Sequence, residues 1–282
     1  MFNARDLLGA VMQSGVAKSA TDRVGHAMGP QGVGGGDSPL GQIFGQVLGG
    51  LGQGGGQGQG GGQGQGGALD AILGKAGGML GDATSAVKSG NPLAIGGLAA
   101  LAGALLGGGG DAVKGAVGGG LLAVLGGLAM NVLSNQAQAR GQGVGGGMPL
   151  GLKAPETAED ETALDRRALL IVEAMVSAAK ADGQIDSSER NRIAGRVKES
   201  GAGAEALEFL MDEMQRPLDL DGLAAKVTGP EEAIEVYGAS LLAIEVDTDA
   251  EVRYLRRLAD ALGLDSNVVG QINQALGAPV AA

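Results

Sequence analysis

Of the 57 glycines in this 282-residue chain, 46 lie before residue 151 and 11 after it. Glycine brings no side chain to bury and loses more conformational entropy on folding than any other residue. The first half therefore cannot close-pack an ordinary core from its own residues. Charge divides at the same point. Residues 1–150 carry 7 Lys/Arg and 6 Asp/Glu, whereas 151–282 carry 13 and 25. Only the second half, roughly 120 residues, has the composition and length of one folded domain.

With no Cys and a single histidine, His26, the chain excludes disulfide scaffolds, thiolate metal sites, cysteine nucleophiles and any site that needs a histidine pair. The acidic half repels phosphate backbones and anionic headgroups, so no nucleic acid is expected as partner. Cations and basic proteins are the better fit.

The region 1–90 is expected to be a Gly/Gln-rich, largely disordered arm with short amphipathic helices. Its start lacks the basic lead and unbroken apolar run of a secretory signal, so the N-terminus is expected to stay in the cytosol. The spacing of Leu7, Leu8, Val11 and Met12 is that of a short amphipathic helix, and it recurs at Leu40, Ile43, Phe44, Val47, Leu48 and at Leu69, Ile72, Leu73, Ala76, Leu80. Two readings are open for these turns: local helical turns within the arm, or helices that bind a membrane surface or a partner. Residues 52–67 are only Gly and Gln, the composition of a flexible linker.

Residues 92–110 and 115–133 each run 19 positions without a charge, parted by Asp111-Ala-Val-Lys114. Nineteen helical residues span about 28 Å, one hydrocarbon core. The region 91–134 is thus expected to form a glycine-rich hydrophobic hairpin in a membrane. Peripheral association, and a glycine-rich tract that is disordered or packs inside a soluble oligomer, are the alternatives. The series Ala99, Gly103, Gly107 and Gly115, Gly119, Ala123, Gly127 are small-residue ridges of the kind that let membrane helices pack closely, which favours a homo-oligomer through these helices. Leu121, Leu122, Leu125 and Leu128 would then face lipid or neighbouring chains. Lys75, Lys88, Arg140 and Lys153 flank the pair against Lys114 between them, which sets both termini in the cytoplasm. A second linker, 135–160, follows.

The region 161–278 shows apolar residues at helical intervals and no strand alternation. Asp182-Gly183, Gly203, Pro217, Gly229-Pro230 and Gly263 punctuate it. The expectation is an all-α compact bundle of about seven helices, with Phe209, Tyr237 and Tyr254 as core filler.

Two acidic turns in this bundle are alike. Ala179-x-Ala-Asp182-Gly183-x-Ile185-Asp186-x-x-Glu189 joins a long apolar helix to a charged one, and Asp247-Thr248-Asp249-Ala-Glu251 does so again about 60 residues later. The first pattern, the stretch Asp247 to Ala259 with Tyr254-Leu255, and then Leu262-Gly-Leu264 resemble the tellurite-resistance TerB-like helical domain. The layout, a Gly-rich half before that domain, resembles the YebE-like bacterial inner-membrane proteins of a domain-of-unknown-function family. This resemblance implies an all-α fold, a place in the bacterial inner membrane, no established enzymatic activity, and a divalent metal held by acidic residues at these helix starts. The matching positions are Asp182, Asp186, Glu189, Asp247, Asp249 and Glu251.

Chemistry allows this, since hard cations take several carboxylate oxygens and a turn between helices can offer them. An EF-hand loop fails, because Ile193 stands where its bidentate Glu belongs. Capping is the competing account: Asp186-x-x-Glu189 and Thr248-x-x-Glu251 have the form of capping boxes. A docking surface for a basic partner is the third.

No nucleophile with its base, phosphate loop or cofactor fingerprint can be assembled. The expected function is a non-enzymatic, membrane-associated protein presenting an acidic helical domain to the cytosol in an envelope or stress response. The alternative is an oligomeric ion-handling or pore-forming assembly, for which only Asn131 offers a polar group at membrane depth.

Overall fold

The computed structural model describes residues 3–14, 19–27, 111–140, 155, 157–183, 185, 187–199 and 203–279, with side chains from residue 120 onward in the stretch 111–140. Among the described residues every regular element is a helix: α1 (Ala4–Ser14), α2 (Ala20–Ala27), α3 (Asp111–Ala139), α4 (Ala158–Ala179), α5 (Ser187–Glu199), α6 (Ala204–Gln215), α7 (Leu220–Ala224), α8 (Pro230–Ala243), α9 (Asp249–Ala261) and α10 (Ser266–Ala275). The fold is all-α, and seven of these helices follow residue 157. The segments around Leu40–Leu48 and Leu69–Leu80, the Gly/Gln run and the uncharged run 92–110 lie outside the described residues.

Local chemistry sets the helix ends. Pro230 opens α8, where its missing N–H costs nothing. Thr157 and Asp160 form a capping box at the head of α4. Asp219 and Asp265 cap α7 and α10 through their side chains. After α9, Gly263 takes φ +66°, letting Leu264 N–H reach Ala259 O at 2.9 Å and close a Schellman turn.

The centre of the bundle is the pair α4 and α8, its most extensive helix contact. Helix α8 is buried from Glu232 through Ala243, so it is the central element. Tyr237 and Tyr254 are buried as expected, each finding a polar partner for its hydroxyl: Tyr237 donates to Asn273 Oδ1 at 3.4 Å, and Tyr254 lies 3.2 Å from Ser240 Oγ.

Helix α3 changes the reading of the apolar half. Over Gly120–Ala139 it is long and apolar enough to cross a membrane, yet about two-thirds of its most apolar window is buried in the bundle. Leu121, Leu122, Leu125 and Leu128, expected against lipid or neighbouring chains, lie instead in the protein core. The reason is complementary shape. A Cβ on Gly238 of α8 would sit 3.1 Å from Leu125 Cδ2 and 3.3 Å from Leu128 Cδ2, so these leucines nest on a bare stretch of α8 backbone. Burying each is worth about 1.5–3 kcal/mol.

The other flank of α3 is covered by α1, which also packs on α4 and α5. Helix α1 forms where its spacing predicts, but it is core: Leu7, Leu8 and Val11 have no exposed surface. Asn3 caps it, its Oδ1 accepting from Arg5 N at 3.0 Å, and Arg5 Nε reaches Asp165 of α4 at 3.2 Å.

An ion network crosses the α4–α8 contact. Arg167 Nε lies 3.0 Å from Glu235 Oε2 and its Nη1 donates to Glu231 at 3.2 Å, while Arg166 pairs with Glu232. Glu235 is 1% exposed and neither oxygen makes a hydrogen bond. Burial pushes its carboxyl up to about 8; Arg167 opposes the shift, and Glu231 and Glu232 add to it. Burial would also raise Glu232, but the Thr228 N–H and Arg166 outweigh it and hold that group below its ordinary value. The two act in different windows. Between 4.5 and about 8 the folded chain holds a Glu235 proton that the unfolded chain lacks, so this contribution is full below 4.5 and is lost as pH rises through about 8. Glu232 acts only at lower pH. Urea unfolding of the full chain should show this contribution falling by a few kcal/mol from about pH 5 to about pH 9, and Glu235→Gln should flatten the slope and raise stability at the alkaline end. An unchanged slope in the variant would remove Glu235 from this role.

Candidate functional site: a charged cleft between the two acidic turns

Three helices end at one place. Ser14 closes α1, Ala179 closes α4 and Ala243 closes α8, and all three residues line a cleft of about 440 Å³. Each helix C-terminus carries roughly half a negative charge from its outward carbonyls. Both acidic turns contribute to the wall: Asp182 and Glu189 from the first, Glu251 from the second. Arg192 and Arg196, one turn apart on α5, also line it.

The predicted residues play separate parts. Asp182 is exposed at the α4–α5 turn, next to Gly183, whose φ of +156° suits glycine. Glu189 lies in the first turn of α5 with Arg192 Nη2 at 3.9 Å. Glu251 is buried and committed to its own backbone. Its Oε2 accepts from Asp247 N and Thr248 N at 3.1 Å each and from Thr248 Oγ1 at 2.9 Å, while Thr248 Oγ1 accepts from Glu251 N at 3.2 Å. This is the capping box that Thr248-x-x-Glu251 predicts. Asp247 and Asp249 are exposed and do not line the cleft. Asp186 lies outside the described residues. Among those described, no three Asp, Glu or His side chains are grouped to hold one metal ion.

Val246, between α8 and this cap, stands at φ 62°. A β-branched side chain in the left-handed region is strained by about 1–2 kcal/mol. The turn is held there from both sides, by the Glu251 cap and by side-chain donors, a hydroxyl and a guanidinium, on the carbonyls that end α8. Ser19 Oγ lies 2.7 Å from Ile244 O and 3.0 Å from Leu242 O. Arg23 donates to Ile244 O at 3.3 Å and Glu245 O at 3.2 Å through Nη2, and to Ser19 Oγ at 2.8 Å through Nε. Lys180 does likewise for α6, its Nζ donating to Glu213 O at 2.9 Å and Arg216 O at 3.0 Å. Burial lowers the pKa of both Arg23 and Lys180, against the pull of nearby glutamates. Sequence reasoning missed Ser19, Arg23 and Lys180 as helix-end ligands. The first two reach carbonyls more than 220 positions away, beyond any local pattern.

An all-helical bundle built around two acidic turns, with an apolar run ahead of it, is the class that fold and cleft define. Residues 88–276, about two-thirds of the chain, match the family model described as "Protein of unknown function (DUF533)", and the chain belongs to that family. A protein of Yersinia enterocolitica described as "Uncharacterized protein in ampR 5'region" is 32% identical to it over 120 residues, 43% of this chain and 86% of that protein. No solved structure matches the chain. The family match takes in α3 to α10 and begins after α1 and α2.

The cap is measurable. Thr248→Ala should cost about 1 kcal/mol in urea unfolding, and Glu251→Ala about 1–3 kcal/mol because it orphans several donors at once. If both variants unfold with the native midpoint, the cap does not hold the turn.

Proposed function

We propose that this chain is a non-enzymatic, membrane-associated docking protein whose cleft takes a basic side chain of a partner protein. The convergence of three helix C-termini with Asp182, Glu189 and Glu251 carries this reading: a cation in the cleft meets carbonyl dipoles and carboxylates together. Within this chain buried cations already serve helix ends, with Arg23 on α8 and Lys180 on α6. Arg192 and Arg196 repel a uniformly basic stretch and favour one in which an acidic residue neighbours the Lys or Arg. The TerB-like character of the bundle and its place in an envelope or stress response rest on the resemblance alone.

Membrane association rests on the uncharged run 92–110, which the family match includes. The packing of α1, α2 and α3 into one bundle supports a reading in which residues 27 and 111 lie on the same side of the membrane. That packing favours attachment at the cytosolic face of the inner membrane, with both termini cytoplasmic, over a single crossing by 92–110.

Calorimetric titration of the full chain with a short peptide alternating Glu and Arg should give saturable, salt-sensitive heat that is lost in Asp182→Asn with Glu189→Gln. Heat from Ca²⁺, Mg²⁺, Mn²⁺ or Zn²⁺, abolished by Asp182→Asn with Asp186→Asn and unaccompanied by peptide binding, would replace docking with a metal site. Flotation with zwitterionic phosphatidylcholine vesicles should carry the full chain and leave behind a variant lacking 92–110. Equal recovery of both would sink the attachment.

A further inference from the structure

Helices α1 and α2 sit on the bundle as a ligand sits on a receptor. Leu7, Leu8 and Val11 are sealed against α3, α4 and α5, and Arg5 pairs with Asp165. Ser19 and Arg23 hold the end of α8. His26 lies on the backbone of Gly277, where a Cβ would come within 2.8 Å of the imidazole Cγ. This arm precedes the family match, yet it fills the core of the matched region. Residues 28–110, 83 positions including the Gly/Gln run, separate it from α3.

We infer that the groove formed by α3, α4 and α5 also accepts the arm of a second copy of this chain, so that two copies exchange residues 3–27 and each cleft receives its Ser14 from the partner copy. Every contact that the arm makes within its own chain is available, unchanged, on another. The two arrangements use the same contacts and differ in which copy's groove the 83 positions 28–110 lead to. Exchange of identical elements closes as a symmetric pair, leaving no groove empty and no arm unused.

The chain has no native cysteine, which allows a direct test. One full-length variant carries Arg5→Cys and another Asp165→Cys, positions whose ion pair is partly exposed and worth at most about 1 kcal/mol. The two are mixed, unfolded in urea, refolded together over a concentration series and treated with a short bis-maleimide. A linked dimer is expected that grows with concentration and is absent when Arg257→Cys, on an exposed face of α9, replaces Arg5→Cys. The double variant Arg5→Cys/Asp165→Cys, refolded dilute, should link within one chain. A closed double variant with no mixed dimer at any concentration would overturn exchange. So would a dimer that forms equally with Arg257→Cys, or a double variant that fails to close.

Discussion

Helix α3 has no charged side chain between Gly115 and Ala139, and something other than water must cover its leucines. In this fold the cover is protein: Gly238 of α8 on one flank and α1 on the other. Much of the architecture follows. A helix drawn from the glycine-rich half becomes the wall on which α8 rests, and the chain's first helix becomes core because it closes the remaining flank.

Placing α1, α4 and α8 side by side has an electrostatic result, since their C-termini gather at one cleft. Gathered carbonyl ends repel one another unless cations or donors serve them, and for α8 the chain supplies these from remote positions, Ser19 and Arg23. The acidic turns have a double character as a result. Their carboxylates cap the helices that begin there, as Glu251 does, and they deepen the negative potential left by the helices that end there.

What the sequence disclosed divides along the range of the interaction concerned. Helix ends were legible because caps are local: Pro230, Gly263 and the Thr248–Glu251 box each act within a few residues of themselves. The box at Thr157–Asp160 was equally local and was hidden only by treating 135–160 as linker. Helix α1 was legible as a helix but not as core, since its partners lie more than 100 positions on. The leucines of α3 show a different limit. Hydropathy measures reluctance to stay in water and says nothing of whether lipid or protein receives the side chain, so Leu125 and Leu128 fit both. Gly238, the residue that decides between them, has no distinguishing pattern around it. Of the six acidic residues, sequence brought Asp182, Glu189 and Glu251 to a common wall through the likeness of the two turns, but the exposed placement of Asp247 and Asp249 depends on how α9 is rolled against the bundle.

The order of the chain adds a kinetic side to the fold. Helix α1 is synthesised before α3, α4 and α5, the nearest of which begins 97 positions after it ends, so the arm has no receptor when it is made. An isolated amphipathic helix of eleven residues is marginal in water, and its apolar face waits exposed. Once the groove forms, the chain's own arm and the arm of any neighbour present the same surface to it, and the nearer one docks. Under the proposed exchange, long-range placement of α1 makes local chain density, and not contact chemistry, the quantity that decides which copy completes the core.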